Sequence, residues 1–304
     1  MQLLDGKMVS ARIVEELRTE TDRLKAAGKR PPHLAAVLVG EEGASQTYVA
    51  AKIRACAAAG FESSLLQLPV TVPSADLVRE IQTLNADPQV DGILVQLPLP
   101  GHIDPAAIVF SIRPEKDVDG FHPLNLGRMV AGLPGYTPAT PYGLLLLMAH
   151  YQIQTTGRHA VVVGRSAIVG TPVSILLSRK AYPGNCTVTL CHSHTPDLGG
   201  ICRQADILIA ATGKPGSIRG SMVKEGAVVL DVGTTRVMDP SRKSGYRLLG
   251  DVDFDEVAPK CSFITPVPGG VGPMTIAGLL KNTLLAATSR ESEPSGSLPL
   301  KSTR

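Results

Sequence analysis

Apolar and polar positions alternate along this chain in a regular order. Short, nearly continuous β-type runs recur at 34–40 (LAAVLVG), 63–69 (SSLLQLP) and 91–98 (DGILVQLP), and helical stretches separate them at 46–59 and 74–86. Strands alternating with helices form βαβ units, and βαβ units build a parallel sheet. The first twenty residues read as a short strand or turn running into an amphipathic helix. The second half repeats the alternation more strongly. HAVVVG (159–164) enters a Gly loop, TPVSILLSRKA (171–181) reads as the next helix, and buried-type strands follow at 186–191, 206–211 and 227–233. YGLLLLMAHY (142–151) reads as a buried helix, too short to cross a bilayer, and 275–288 as a closing helix. A Pro- and Gly-rich passage, 113–143, joins the halves and is long for a plain connection. The pattern predicts an α/β protein of two domains, the second a doubly wound, Rossmann-like nucleotide-binding domain. From about Ser289 the tail is polar with Pro and Gly, and disorder is expected for 289–304.

Composition narrows the partners. Hydrophobic residues make up 43% of the 304 positions and charged residues 19%, which fits a globular chain with an ample core. Aromatics are 4% with no Trp, against a base-stacking nucleic-acid platform. The net charge of +3 is too small to argue for a polyanion partner. No apolar run reaches the roughly 18 residues of a membrane span, and no secretory signal is visible, so no membrane partner and a cytoplasmic location are expected. The five cysteines (56, 186, 191, 202, 261) are odd in number and lack a Cys-x-x-Cys pair. They read as reduced, buried thiols, with no metal site expected.

Two stretches carry candidate chemistry. In SQTYVAAK (45–52), Tyr48 and Lys52 lie four apart and share a helix face. A phenol beside an amine can position a substrate and move a proton. The same spacing also occurs on solvated helices. In VVVGRSAIVGTP (161–172), Gly164 and Gly170 provide two of the usual three glycines of a strand–loop–helix phosphate cradle, or else a tight turn with no ligand. The strand after it ends in LCHSHT, with Ser193 between His192 and His194 and no carboxylate to bind ribose hydroxyls. Arg165 sits in the Gly loop. An Arg and a hydroxyl suit a 2′-phosphate, so NADP is favoured over NAD.

The segments SQTYVAAK, DGILVQLPLP, PEKDVDGFHP, GRHAVVVGRSAIVGTP, TVTLCHS, ATGKPG and FITPVPGGVGPMT occur here in the order seen in the bifunctional methylenetetrahydrofolate dehydrogenase/cyclohydrolase family. The resemblance covers roughly residues 1–288. It implies NADP-dependent oxidation of 5,10-methylenetetrahydrofolate, then hydrolysis to 10-formyltetrahydrofolate, within one-carbon metabolism and purine biosynthesis. It implies Lys52 as the catalytic lysine, Tyr48 packing on the folate, Gln96 hydrogen-bonding the lysine, and Asp119 holding the pterin, with Asp117 structural. Leu97, Pro98 and the loop Pro268, Gly269, Gly270 and Gly272 complete the implied substrate contacts. The implied cofactor contacts are Gly164, Arg165, Ser166, Ile168, Val169, Gly170, Pro172, Ser193 and Thr234.

The resemblance further implies a folate domain of 1–145 joined by 275–288, a nucleotide domain of 146–274, and a homodimer through the latter. This sequence departs from the family at Ala139, where Cys is common, at Thr234-Thr235, and in the longer stretch 179–185. Short-chain dehydrogenases also use Tyr-x-x-x-Lys, but there the Gly loop precedes the pair. A catalytically inactive folate- or NADP-binding module is the alternative, and the joint presence of Tyr48, Lys52, Gln96 and Asp119 argues against it.

Overall fold

The computed structural model describes residues 1–242 and 245–289; most of the tail expected to be disordered therefore lies outside the described residues. The chain opens with a two-residue strand, β1 (Gln2–Leu3), and helix α1 (Gly6–Ala26). Asp5 caps α1 by accepting the Met8 amide at 2.9 Å. Next come β2 (His33–Val39), α2 (Gly43–Ala58), β3 (Glu62–Leu68), α3 (Ser74–Ala86) and β4 (Gly92–Val95). They form a three-stranded parallel sheet in the order β3-β2-β4. The central β2 is buried from Leu34 to Val39, which explains its unbroken apolar run.

The Pro- and Gly-rich passage is not a plain loop. After α4 (Pro105–Ser111), it contains α5 (Pro123–Ala131) and the start of α6 (Ala139–His150). Pro123 stands in the first turn of α5, where its missing N–H costs nothing, and Gly132 ends that helix in the left-handed region at φ 68°. The same two residue types mark loops elsewhere, so the helix was hidden in the sequence.

The second half contains β5 (His159–Val163), α7 (Gly170–Ser178), β6 (Thr187–Cys191), α8 (Leu198–Cys202), β7 (Ile207–Ala210) and β8 (Val228–Asp231). An antiparallel hairpin of β9 (Thr235–Met238) and β10 (Tyr246–Leu249) follows, then α9 (Phe254–Val257), β11 (Phe263–Ile264) and α10 (Val271–Ser289). The large sheet is parallel throughout, in the order β1-β11-β8-β7-β5-β6. Counted from β5, this is the doubly wound 2-1-3-4-5 order, with the N-terminal β1 added at one edge. Strand order reverses between β5 and β7, and a ligand crevice forms outside the carboxyl ends of strands at such a point.

Helix α10 starts four residues earlier than its sequence pattern implied and packs on α1 and α6. The contact with α6 is backbone-close: a Cβ on Gly278 would stand 2.5 Å from the Ala139 carbonyl. Asn282 in α10 donates to the Val118 and Thr137 carbonyls, both at 2.8 Å, which fixes the loop carrying Asp119. All five cysteines are free and buried.

Candidate active site

Lys52 is not a surface lysine. It is 4% exposed, and its Nζ donates to Gln96 Oε1 at 3.0 Å while lying 4.6 Å from the centre of the Tyr48 ring. Gln96 directly follows β4. Its backbone amide donates to Val37 (2.9 Å) and its Nε2 donates to the Leu97 carbonyl (2.6 Å), which leaves Oε1 for the lysine. Burial pushes the Lys52 amine below the ordinary lysine range, against the opposing pull of Asp119 and Cys56. A lysine so placed sheds its proton more readily than a solvated one. Burial raises the Tyr48 phenol to about 12, opposed by a hydrogen bond with Thr275 and aided by Asp119. Tyr48 therefore stays protonated and serves as a ring surface and hydroxyl, not as a base.

The two acids of the 117–119 turn have separate roles. Asp117 is buried and accepts the amides of Phe121 (3.2 Å) and His122 (2.8 Å) and the Asn125 Nδ2 (2.8 Å). It holds the turn together. Asp119 is half-buried, and its carboxylate takes no hydrogen bond among the described residues. Burial lifts Asp119 to about 6, Lys52 acting against this and Asp117 with it. An acceptor fixed in place but uncommitted can receive two donors side by side.

At the switch point, β5 hands over to α7 through a loop only glycine permits. Gly164 has φ 121°, and an added Cβ would stand 2.0 Å from the Ala211 carbonyl; on Gly170 it would stand 1.8 Å from the Gly164 carbonyl. The Ser166 hydroxyl accepts the Val169 amide at 3.2 Å. Arg165, Ser166 and Ile168 are exposed there, Val169 is half-buried, and Ser193 is exposed at the end of the neighbouring β6. Pro172 is buried in the first turn of α7. The nearest acid after β6, Asp197, is occupied in capping α8 by accepting the Gly200 amide at 3.0 Å. Arg165 has no ion pair among the described residues. A close-approach loop, a helix N-terminus and an unneutralised Arg beside a carboxylate-free strand end fit a dinucleotide bearing an extra phosphate.

Two acids that the motifs did not single out tie down neighbouring strand ends. Asp251 accepts the amides of Thr212 (2.6 Å) and Gly213 (2.9 Å) after β7. Asp231 accepts those of Gly233, Asp251 and Val252, each at 2.9 Å. Both are buried, and together they fix the carboxyl ends of β7 and β8.

A cleft of about 420 Å³ is lined by part of the site; neither Lys52 nor Asp119 lines it, and of the implied cofactor contacts only Thr234 does. Tyr48, Gln96, Leu97 and Pro98 line it from the first lobe, and Thr234 from the second. Gly272 lines it too, though from the first turn of α10 and not from a loop. The rest of the implied loop does not line it. Gly269 instead accepts the Lys7 amide at 2.9 Å, and Gly270 lies against Gly6 at the start of α1. The cleft also contains groups that sequence reasoning missed: Ser45, one helix turn before Tyr48, and the Thr140 and Thr275 hydroxyls, 3.0 Å apart. Only the i,i+3 spacing of Ser45 from Tyr48 could have signalled the first. A second hollow, of about 260 Å³, contains the Lys224–Asp206 ion pair at the amino ends of β7 and β8 and includes none of these groups.

Comparison with known proteins gives a consistent result. The family model for the tetrahydrofolate dehydrogenase/cyclohydrolase catalytic domain matches residues 4–119, and that for the NAD(P)-binding domain of the same proteins matches 138–291. The chain is 59% identical over 287 residues to the bifunctional protein FolD of Cytophaga hutchinsonii, covering 94% of this chain and 99% of that one. It is similar to the solved structure of the bifunctional FolD methylenetetrahydrofolate dehydrogenase/cyclohydrolase of Campylobacter jejuni, with a TM-score of 0.89 and 48% identity over 95% of this chain and 99% of that one. It is also similar to the Trypanosoma brucei dehydrogenase-cyclohydrolase solved with NADP cofactor and inhibitor, with a TM-score of 0.91 and 41% identity over 95% and 98% of the two chains.

Proposed function

Since the chain belongs to the tetrahydrofolate dehydrogenase/cyclohydrolase family, we propose that its two reactions share the one cleft between the lobes and divide their demands among Lys52, Tyr48, Gln96 and Asp119. The chain oxidises 5,10-methylenetetrahydrofolate to the 5,10-methenyl cation with NADP⁺ and hydrolyses that cation to 10-formyltetrahydrofolate. The observation that carries the division of roles is the buried Lys52, bonded to Gln96 at 3.0 Å and influenced electrostatically by the uncommitted Asp119.

Asp119 accepts the ring N–H and amino group of the pterin side by side. Tyr48 lies against the folate rings. NADP⁺ supplies the hydride acceptor of the first reaction. Gly164, Arg165, Ser166, Gly170 and Ser193 would hold it, with Arg165 and Ser193 at the 2′-phosphate. Alignment is what the protein contributes to that step, because no proton moves in the transfer.

In the second reaction water attacks the methenyl carbon. The neutral Lys52 amine takes one proton of that water. The resulting ammonium is held by Gln96 Oε1 and returns the proton to N5 as the carbon–N5 bond breaks. The remaining hydroxyl proton leaves to solvent as the formyl carbonyl forms, so the positive charge of the cation departs as that proton. The depressed lysine suits this cycle, since an amine must be neutral to begin it.

A homodimer through the nucleotide domain is supported by β6, an edge strand of the large sheet with Leu190 37% exposed. A cytoplasmic location accords with five free cysteines. The formyl product would serve as a one-carbon donor in purine biosynthesis. The test is a two-wavelength assay on the purified chain. NADPH should form with methylenetetrahydrofolate and NADP⁺, and added methenyl compound should decay faster than its spontaneous rate. An inert protein that binds both ligands would overturn the reading in favour of a binding module.

A further inference from the structure

Arg236 stands at the rim of the cleft, on the β9–β10 hairpin that reaches from the second lobe to the start of α2. Its guanidinium donates to the Gly43 carbonyl at 3.2 Å and the Thr47 hydroxyl at 3.3 Å, and it lies 4.0 Å over the Tyr246 ring. All three partners are uncharged. Both hydrogen bonds fall on Nη2. No carboxylate among the described residues pairs with this cation. Glu42 lines the same rim, but its carboxylate accepts the Ser45 hydroxyl at 2.8 Å. The rim therefore presents a cation that is stacked, oriented and electrostatically unspent.

Its distance from the chemistry can be read along α2. Thr47 and Gly43 precede Lys52 by five and nine residues, so the guanidinium stands about 8 to 14 Å along the helix axis from the lysine. A folate whose one-carbon bridge lies at Lys52 must extend its p-aminobenzoyl group over such an interval before its glutamate carboxylates appear. A planar, stacked guanidinium is the group best shaped to meet carboxylates there.

We propose that Arg236, held flat on Tyr246, receives the tail carboxylates of the folate and makes the site select glutamylated folates over tail-less pteroates. This rests on the assignment of folate to the cleft given above. The Gly43 and Thr47 contacts hold the hairpin at the helix start, so the receiving group is in place before substrate enters.

The test compares 5,10-methylenetetrahydrofolate with 5,10-methylenetetrahydropteroate, which lacks the glutamate. Wild type is expected to show the lower KM for the glutamyl substrate. Arg236→Gln is expected to raise the ratio of glutamyl KM to pteroate KM about tenfold, the scale of one charge-assisted contact. Arg236→Lys is expected to restore part of that ratio. An equal rise for both substrates would make Arg236 a structural latch and overturn the proposal. So would a rise confined to the KM for NADP⁺, or an unchanged ratio. Failure of the wild type to turn over either substrate would instead sink the functional reading beneath it.

Discussion

Replacing Gln96 by Glu tests whether the charge on Lys52 governs hydrolysis. The exchange keeps the side-chain length and puts a carboxylate oxygen where an amide oxygen now accepts from Nζ at 3.0 Å. Two unit charges about 4 Å apart at an effective dielectric near 20 attract by about 4 kcal/mol. That attraction favours the ammonium, so the lysine's titration moves to higher pH. The cost of burying the new carboxylate subtracts from it. The sign follows from the mechanism. The amine must be neutral to take the proton of water, so hydrolysis rises with pH through the Lys52 titration, and the variant's rising limb moves to higher pH. At fixed neutral pH this appears as a loss of about tenfold to a thousandfold. The assay is methenyl absorbance followed across a pH series, with hydride transfer measured in parallel as NADPH. A limb that stays in place in a folded Gln96→Glu protein would refute the assignment of Lys52 as the proton acceptor.

Other changes separate the remaining roles. Arg165→Ala is expected to raise the KM for NADP⁺ about tenfold to a hundredfold while changing that for NAD⁺ far less; equal effects, or a wild-type preference for NAD⁺, would contradict the 2′-phosphate reading. Asp119→Asn is expected to weaken folate in both reactions by about tenfold or more, because an amide presents a donor where an acceptor is needed. The same variant should melt higher than wild type at pH 8. The folded Asp119 titrates near 6, above its ordinary value of 3.8, so the stability it contributes is full below that ordinary value and is lost as pH rises through 6. The amide escapes that loss, and the gain should vanish below pH 4; a melting difference independent of pH would show that Asp119 is not strained by burial.

Much of this was legible in the sequence because it was local. β2 and β5 are buried on both faces and read as unbroken apolar runs. Gly164 and Gly170 are required by their backbone surroundings, and Lys52 follows Tyr48 at helix spacing. The parts that stayed hidden depend on distant partners or on residues with two meanings. β1 is two residues long and exists because it pairs with β11, some 260 positions away. Helix α10 begins inside a Gly-Pro run because Pro273 falls in its first turn, where proline is tolerated. The hairpin carrying Arg236 is short and half-exposed, so its alternation is weak, and nothing local shows that it reaches α2. The burial of Lys52 itself, on which the mechanism depends, involves Gln96, 44 positions away, a partner that no single stretch encodes.

The central claim is that the buried amine of Lys52 serves the hydrolytic step and not the hydride transfer. Methenyl absorbance over time in Lys52→Met, with folding verified by a thermal melt, tests it most directly, because methionine keeps most of the apolar stem and deletes the amine. The account predicts that methenyl product accumulates: NADPH formation persists at a measurable rate while hydrolysis falls about a hundredfold or more. Two activities surviving intact, or both vanishing in a folded protein, would contradict it.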